Sequence, residues 1–229
     1  MRLLTRSGAT GLLALGLSFG VATSAFAVDD PPPVPHSVDE EAPAHSKRRC
    51  LKAIERRVVD LAAWSARISF RNNLTPEQKA DLVGQMTATS DGLLNVAKPA
   101  VEAATTRAQL KAACKAILTD YRVYLVVHPR VLITAAAWGW LHRIGELEVK
   151  ASVLKAADKD TTVIDGLLLH ARNTATPIPG AVAGVTPASY NADPAGTKIL
   201  FNTAKGDLKT VEQDVKQAAK LIRHLQKHG

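Results

Sequence analysis

The chain has 229 residues, 29 of them Lys or Arg against 21 Asp or Glu for a formal charge of +8, and it is 46% hydrophobic but only 4% aromatic. Alanine supplies much of that apolar content, which suits close-packed long helices and argues against a sheet sandwich, whose strands need β-branched and aromatic residues. No Gly-rich phosphate loop, HExxH, GxSxG or metal-spaced Cys/His cluster occurs, so the chain does not read as an enzyme and no cofactor or metal is expected.

Arg2 and Arg6 precede an apolar run from Gly11 to Val21, and Ala25-Phe26-Ala27 offers a small-x-small cleavage site before Val28. Residues 1–27 therefore read as a signal peptide. No cysteine stands at the cleavage point, the arginines are not paired as a twin-arginine signal requires, and no second long apolar span follows. The expected protein is secreted or extracytoplasmic and associated with the cell surface, with no membrane span once the signal is removed.

Residues 28–45 hold five prolines, five acidic side chains and no Lys or Arg, a composition expected to give a disordered acidic tail. Ser46 to Asn72 then carries eight basic residues against Glu55 and Asp60. From residue 46 to 229 a helical bundle domain is expected. Ser46 can cap its first helix, which has Leu51, Ile54, Val58, Leu61 and Ile68 on one stripe. Thr75-Pro76-Glu77-Gln78 opens a second helix with a capping residue, proline at the first turn and glutamine three residues on, running to a stop at Pro99.

Thr106 and Gln109 repeat that capping pattern for a third helix, which carries Leu110, Cys114, Ile117, Tyr121 and Tyr124 towards Pro129. The fourth runs from about Arg130 to Ala157. Val131, Leu132, Ile133, Trp138, Trp140 and Leu141 make its start apolar on more than one face, so it is expected to be central. A shorter helix begins near Thr161 or Thr162. Residues 176–192 form a connection longer than compact domains normally use, expected to pack through Ile178, Val182, Val185 and Tyr190 with a turn capped by Thr186. Asp193-Pro194 starts the last helix. The expectation is an all-α, elongated antiparallel helical bundle, coiled-coil-like, of about five to six helices.

Leu74 to Gln78 resembles the LTxxQ signature of Spy- and CpxP-type periplasmic chaperones, which are small, exported and helical. Ile117-Leu118-Thr119-Asp120-Tyr121-Arg122-Val123-Tyr124, Pro129 with Ala135-Ala136-Ala137, and Thr186-Pro187-Ala188-Ser189-Tyr190-Asn191 together resemble uncharacterised Ala-rich helical secreted proteins of actinobacteria. That resemblance implies a helical fold and export and supplies no activity. Trp138-Gly139-Trp140 departs from its small-residue pattern.

An even pair of cysteines in an exported chain favours a disulfide between Cys50 and Cys114. The basic residues Arg49, Lys52, Arg56 and Arg57 lie beside or opposite the apolar stripe of the first helix. They form either a solvated face or a surface that attracts anionic wall polymers or lipid headgroups. Tyr121 and Tyr124 read as core aromatics whose hydroxyls reach Arg122 or a carbonyl freed by Pro129, or as the lining of a ligand pocket. Trp138 points away from the seam of Trp140 and is either covered by another helix or presented to a partner. His224 with His228, His142 with Glu146, and Asp158-Lys159-Asp160 lack the further members of a metal, catalytic or calcium site and read as solvated positions.

These readings converge on an exported, non-enzymatic helical bundle that presents surfaces to cell-envelope polymers or to a protein partner, without nucleic acid. The alternative is a chaperone-like binder of unfolded clients outside the cytoplasm.

Overall fold

Threonine–glutamine capping boxes open two of the helices in the first half of the chain. In the computed structural model, which describes residues 41–228, the Thr75 N–H donates to Gln78 Oε1 at 3.0 Å and the Gln78 N–H to Thr75 Oγ1 at 3.3 Å. Thr106 and Gln109 exchange the same pair of bonds at 3.2 Å each. Each box satisfies two N–H groups that a helix start would otherwise leave open. Residues 1–27, read as a signal, and residues 28–40 of the acidic tail lie outside the described residues.

The fold is all-α. The helices are α1 (Ala44–Ser69), α2 (Pro76–Gly92), α3 (Lys98–Ala103), α4 (Arg107–Thr119), α5 (His128–Ala156), α6 (Thr162–Ala175), α7 (Ile178–Ala183), α8 (Pro187–Ala192) and α9 (Pro194–His228), with π-helical turns at Leu93–Ala97 and Val123–Val127. Among the described residues there is no strand, only an isolated bridge between Glu41 and Thr106. None of these helices is long and apolar enough to cross a membrane.

Four boundaries differ from the sequence expectation. Ser46 does not cap α1; the helix begins at Ala44 after Pro43, and the Ser46 N–H already donates to the Pro43 carbonyl. Residues 41–45 therefore belong to the bundle rather than to a disordered tail, held also by the Ala42 N–H on the Thr105 carbonyl at 3.0 Å.

Pro99 and Pro129 do not stop helices. Each sits two residues beyond a five-residue π turn, and the chain stays helical through it. A proline inside an α-helix lacks an N–H and its ring collides with the carbonyl four residues back; widening the preceding turn removes that collision and lets the helix continue. The third predicted helix is instead broken at Asp120 to Arg122, where Arg122 takes the left-handed conformation (φ 41°, ψ 41°). That break separates Tyr121 from Tyr124.

Three groups of buried side chains form the core, and α5 belongs to all of them. Val131 and Ala135 pack with Ile54, Leu61, Leu82, Met86 and Val101. Ile133 and Ala137 meet Ile178, Val182, Val185, Tyr190 and Phe201. Ile144, Leu147, Ala151 and Leu154 join Ile164 and Leu168 of α6 and Val211, Val215 and Ile222 of α9. An apolar start on several faces thus gives the central helix. Each fully buried Leu, Ile or Val contributes about 1.5–3 kcal/mol.

Cys50 of α1 is bonded to Cys114 of α4, with Cα atoms 5.7 Å apart. The 176–192 connection packs through the four expected side chains, none more than 5% exposed. The Ser189 N–H donates to Thr186 Oγ1 at 3.1 Å to cap α8.

Candidate functional site

The register of α1 places Lys52 and Arg56 one turn apart on its exposed side, while Ile54, Leu61 and Ile68 face the core. Facing them is the second π turn. Its wide backbone sends Val123, Val126 and Val127 inward and leaves Tyr124 and Leu125 at the surface. Lys52, Ala53, Arg56, Arg57 and Tyr124 line one cleft of about 540 Å³. A second, of about 240 Å³, shares Arg57 and Tyr124 and adds Ile117, Leu118, Arg122, Val123 and Leu125. The combined surface is cationic on one side of Tyr124 and apolar on the other.

Tyr124 is fixed from several directions. Its hydroxyl donates to Asp60 Oδ2 at 2.6 Å, the Arg57 guanidinium carbon lies 5.4 Å from its ring centroid, and Trp64 meets its ring edge-on at 6.0 Å. Arg57 is itself anchored by Nη1 donating to the Ala53 carbonyl at 2.7 Å. Trp64 also stacks on His128 with centroids 3.7 Å apart. Burial, and then donation to the Asp60 carboxylate, push the Tyr124 phenol up, against the opposing pull of Arg57 and Arg56. Burial and the neighbouring Arg67 push the His128 imidazole down, with Asp60 opposing. Both rings are therefore held neutral near pH 7, and the positive charge of the cleft comes from Lys52, Arg56 and Arg57, with the Asp60 carboxylate occupied by the Tyr124 hydroxyl. Such a surface can hold an anion by charge and by cation–π-backed hydrogen bonding.

The structure brings Lys52, Arg56, Arg57 and Tyr124 together and leaves out the other candidates. Arg49 is exposed but does not line the cleft. The Tyr121 hydroxyl donates at 2.7 Å to the carbonyl of Gly92, the last residue of α2, so its partner is neither Arg122 nor a carbonyl freed by Pro129. Trp138 is half-buried, packed on the first core group and lining a cavity with Arg130. Arg130 Nη1 donates to the Val185 carbonyl at 2.7 Å.

Two segments that carried the sequence resemblance meet. Arg122 Nε donates to Asn191 Oδ1 at 2.6 Å, Asn191 Nδ2 donates to the Thr119 carbonyl at 2.8 Å, and the Arg122 guanidinium lies over the Tyr190 ring at 4.7 Å. These contacts hold the left-handed Arg122 in place, a conformation that otherwise costs about 1–2 kcal/mol.

Sequence reasoning missed Asp60, Trp64 and His128. The signal was present in spacing: Arg57, Asp60 and Trp64 stand at i, i+3 and i+7, and His128 follows Tyr124 by four, so each set shares a helix face. No protein-family model, no curated protein and no solved structure matches this chain.

Proposed function

We propose that the protein is an exported, non-enzymatic helical bundle that holds anionic polymers of the cell envelope in the cleft around Tyr124. The observation that carries this reading is the grouping of Lys52, Arg56 and Arg57 around one fixed aromatic ring. The signal-like N-terminus and the Cys50–Cys114 bond support the extracytoplasmic part of the reading. Co-sedimentation with a purified anionic wall polymer tests it. Each Lys or Arg near an anionic surface contributes about 1 kcal/mol, so Lys52→Glu with Arg56→Glu should weaken retention at low salt by at least about tenfold, with helix content unchanged. Equal retention of the variant, or equal retention on a neutral polysaccharide, removes the proposal.

Leu118 and Leu125, 56% and 47% exposed beside the same cleft, favour a second reading, chaperone-like binding of unfolded clients through charge and apolar surface together. In that case the protein suppresses aggregation of a denatured client, and Leu118→Ser with Leu125→Ser abolishes the effect. An anionic-polymer binder shows no suppression.

A further inference from the structure

Trp138-Gly139-Trp140, the stretch that departs from the small-residue pattern, takes no part in the basic cleft. Its three residues meet different neighbours. Trp138 lines the cavity with Arg130. Gly139 lies against Asn73 so closely that a Cβ there would stand 2.3 Å from Nδ2. Trp140 walls a separate cavity of about 580 Å³ between the α1–α2 turn and the middle of α5, within the size range of small-molecule sites.

The polar groups of that cavity divide into those already used and those left open. Glu146 accepts from Arg143 Nη1 at 2.5 Å and lies 3.4 Å from His142 Nε2, so the charge of Arg143 is compensated within α5. Across the cavity, Arg71, Asn72 and Asn73 also line the wall. Among the described residues their side chains make no hydrogen bond or ion pair. Arg71 is thus a cation without an ion-pair partner among the described residues, flanked by the exposed amide of Asn72 and by Asn73, whose Nδ2 rests against Gly139, and sharing the cavity with an indole.

We infer that this cavity binds an acidic sugar, a pyranose that carries a carboxylate. The planar guanidinium of Arg71 matches a carboxylate with two parallel N–H donors. The Asn72 and Asn73 amides each donate and accept, as a run of sugar hydroxyls requires. Trp140 covers the ring's apolar C–H face. A bare inorganic anion leaves Trp140 and the amides without a role, and an apolar ligand strands Arg71. Gly139 belongs to the site because it lets Asn73 approach α5. None of these residues lines the cleft around Tyr124, so the two sites stand or fall separately.

Titration calorimetry of the full chain with oligosaccharides of hexuronic acid tests the inference. Saturable, salt-sensitive binding is expected, with a neutral oligosaccharide of equal length at least about tenfold weaker because the charge-assisted bonds are missing. Arg71→Gln and Trp140→Leu should each weaken binding by about tenfold. Should Trp140→Leu prove unfolded, Asn72→Asp sets a carboxylate against that of the ligand and must also weaken binding. With Lys52→Glu and Arg56→Glu, longer anionic oligosaccharides lose what they gain at the basic cleft, while the Arg71-dependent binding of a single hexuronic acid unit should stay unchanged. Equal binding of the neutral sugar, equal competition by an acidic peptide, or wild-type affinity in Arg71→Gln overturns the inference. Loss of single-unit binding in the Lys52/Arg56 variant with Arg71→Gln unaffected moves the sugar to the basic cleft, and this site fails while the proposed function stands.

Discussion

Past Ile144, α5 leaves the disulfide-linked part of the bundle and joins α6 and α9, and the two regions obey different rules. In the three-helix region the buried positions keep a 3-4 alternation: Ile144, Leu147, Ala151 and Leu154; Ile164, Leu168, Ala171 and Ala175; Val211, Val215, Ala218 and Ile222. In residues 41–135 the two proline-containing segments run in fours instead, through Leu93, Ala97 and Val101 and through Val123, Val127, Val131 and Ala135, while Ile54, Leu61 and Ile68 of α1 keep a spacing of seven. A stripe spaced by four drifts around an α-helix of 3.6 residues per turn. In both places a π turn absorbs the drift ahead of a proline. The clefts around Tyr124, Trp138 and Trp140 all take residues from this second, irregular region.

The largest test of this contrast is the disulfide. Cys50 and Cys114 are 64 residues apart, and closing a loop of that length stabilises by about 4 kcal/mol in the chain-entropy model. Cys50→Ala with Cys114→Ala should lower overall stability by up to that amount. Hydrogen exchange should show protection falling first in α1 and α4 while α6 and α9 stay protected. A uniform fall across all helices would mean that the two regions open as one unit.

Glycines offer a smaller and signed test. A Cβ on Gly92 would stand 2.6 Å from Cε1 of Tyr121, whose hydroxyl bonds to the Gly92 carbonyl. Gly92→Ala must displace that ring and should cost about 1–3 kcal/mol. Gly166 and Gly206 lie inside α6 and α9 with nothing within 4 Å of a Cβ, so alanine at either should stabilise by about 0.5–1 kcal/mol. Urea midpoints read both. A shift of the same sign at Gly92 and Gly166 contradicts the division.

The same division explains what could be read from residues alone. Capping boxes, the last helix start at Pro194, the central role of α5 and the packing of the 176–192 connection were legible because each rests on local chemistry or on a sustained period. The π turns were not. A proline after an apolar run reads as a stop, and only the continuing burial of Val101 and Val131 beyond it shows that the helix persists. The break at Arg122 was hidden for a related reason: what stabilises a left-handed arginine is Asn191 and Tyr190, about seventy residues away. The sequence marks Tyr121 and Tyr124 as candidates, but their partners Gly92 and Asp60 lie on other helices and no spacing rule links them.

The smallest expected effect concerns His128, where the irregular region carries a half-buried titratable ring. The imidazole stacks on Trp64 and faces Arg67 and Asp60, and its pKa is held below the usual histidine range chiefly by burial, then by the Arg67 charge. A group whose folded pKa is depressed contributes stability that is fully present above its unfolded pKa, near 6.5, and is lost as pH falls through the folded value. Protonation therefore adds a charge to a half-buried ring beside Arg67, next to the Trp64 and Tyr124 wall of the cleft. His128→Phe keeps an aromatic face on Trp64 and removes the proton site. Thermal unfolding of the wild type should decline between pH 7 and pH 5 more steeply than that of His128→Phe, with the two curves parallel above pH 7.5. Parallel curves over the whole range would show that the ring titrates without strain in the folded state, and the cleft would then be no more sensitive to acid than the regular coil.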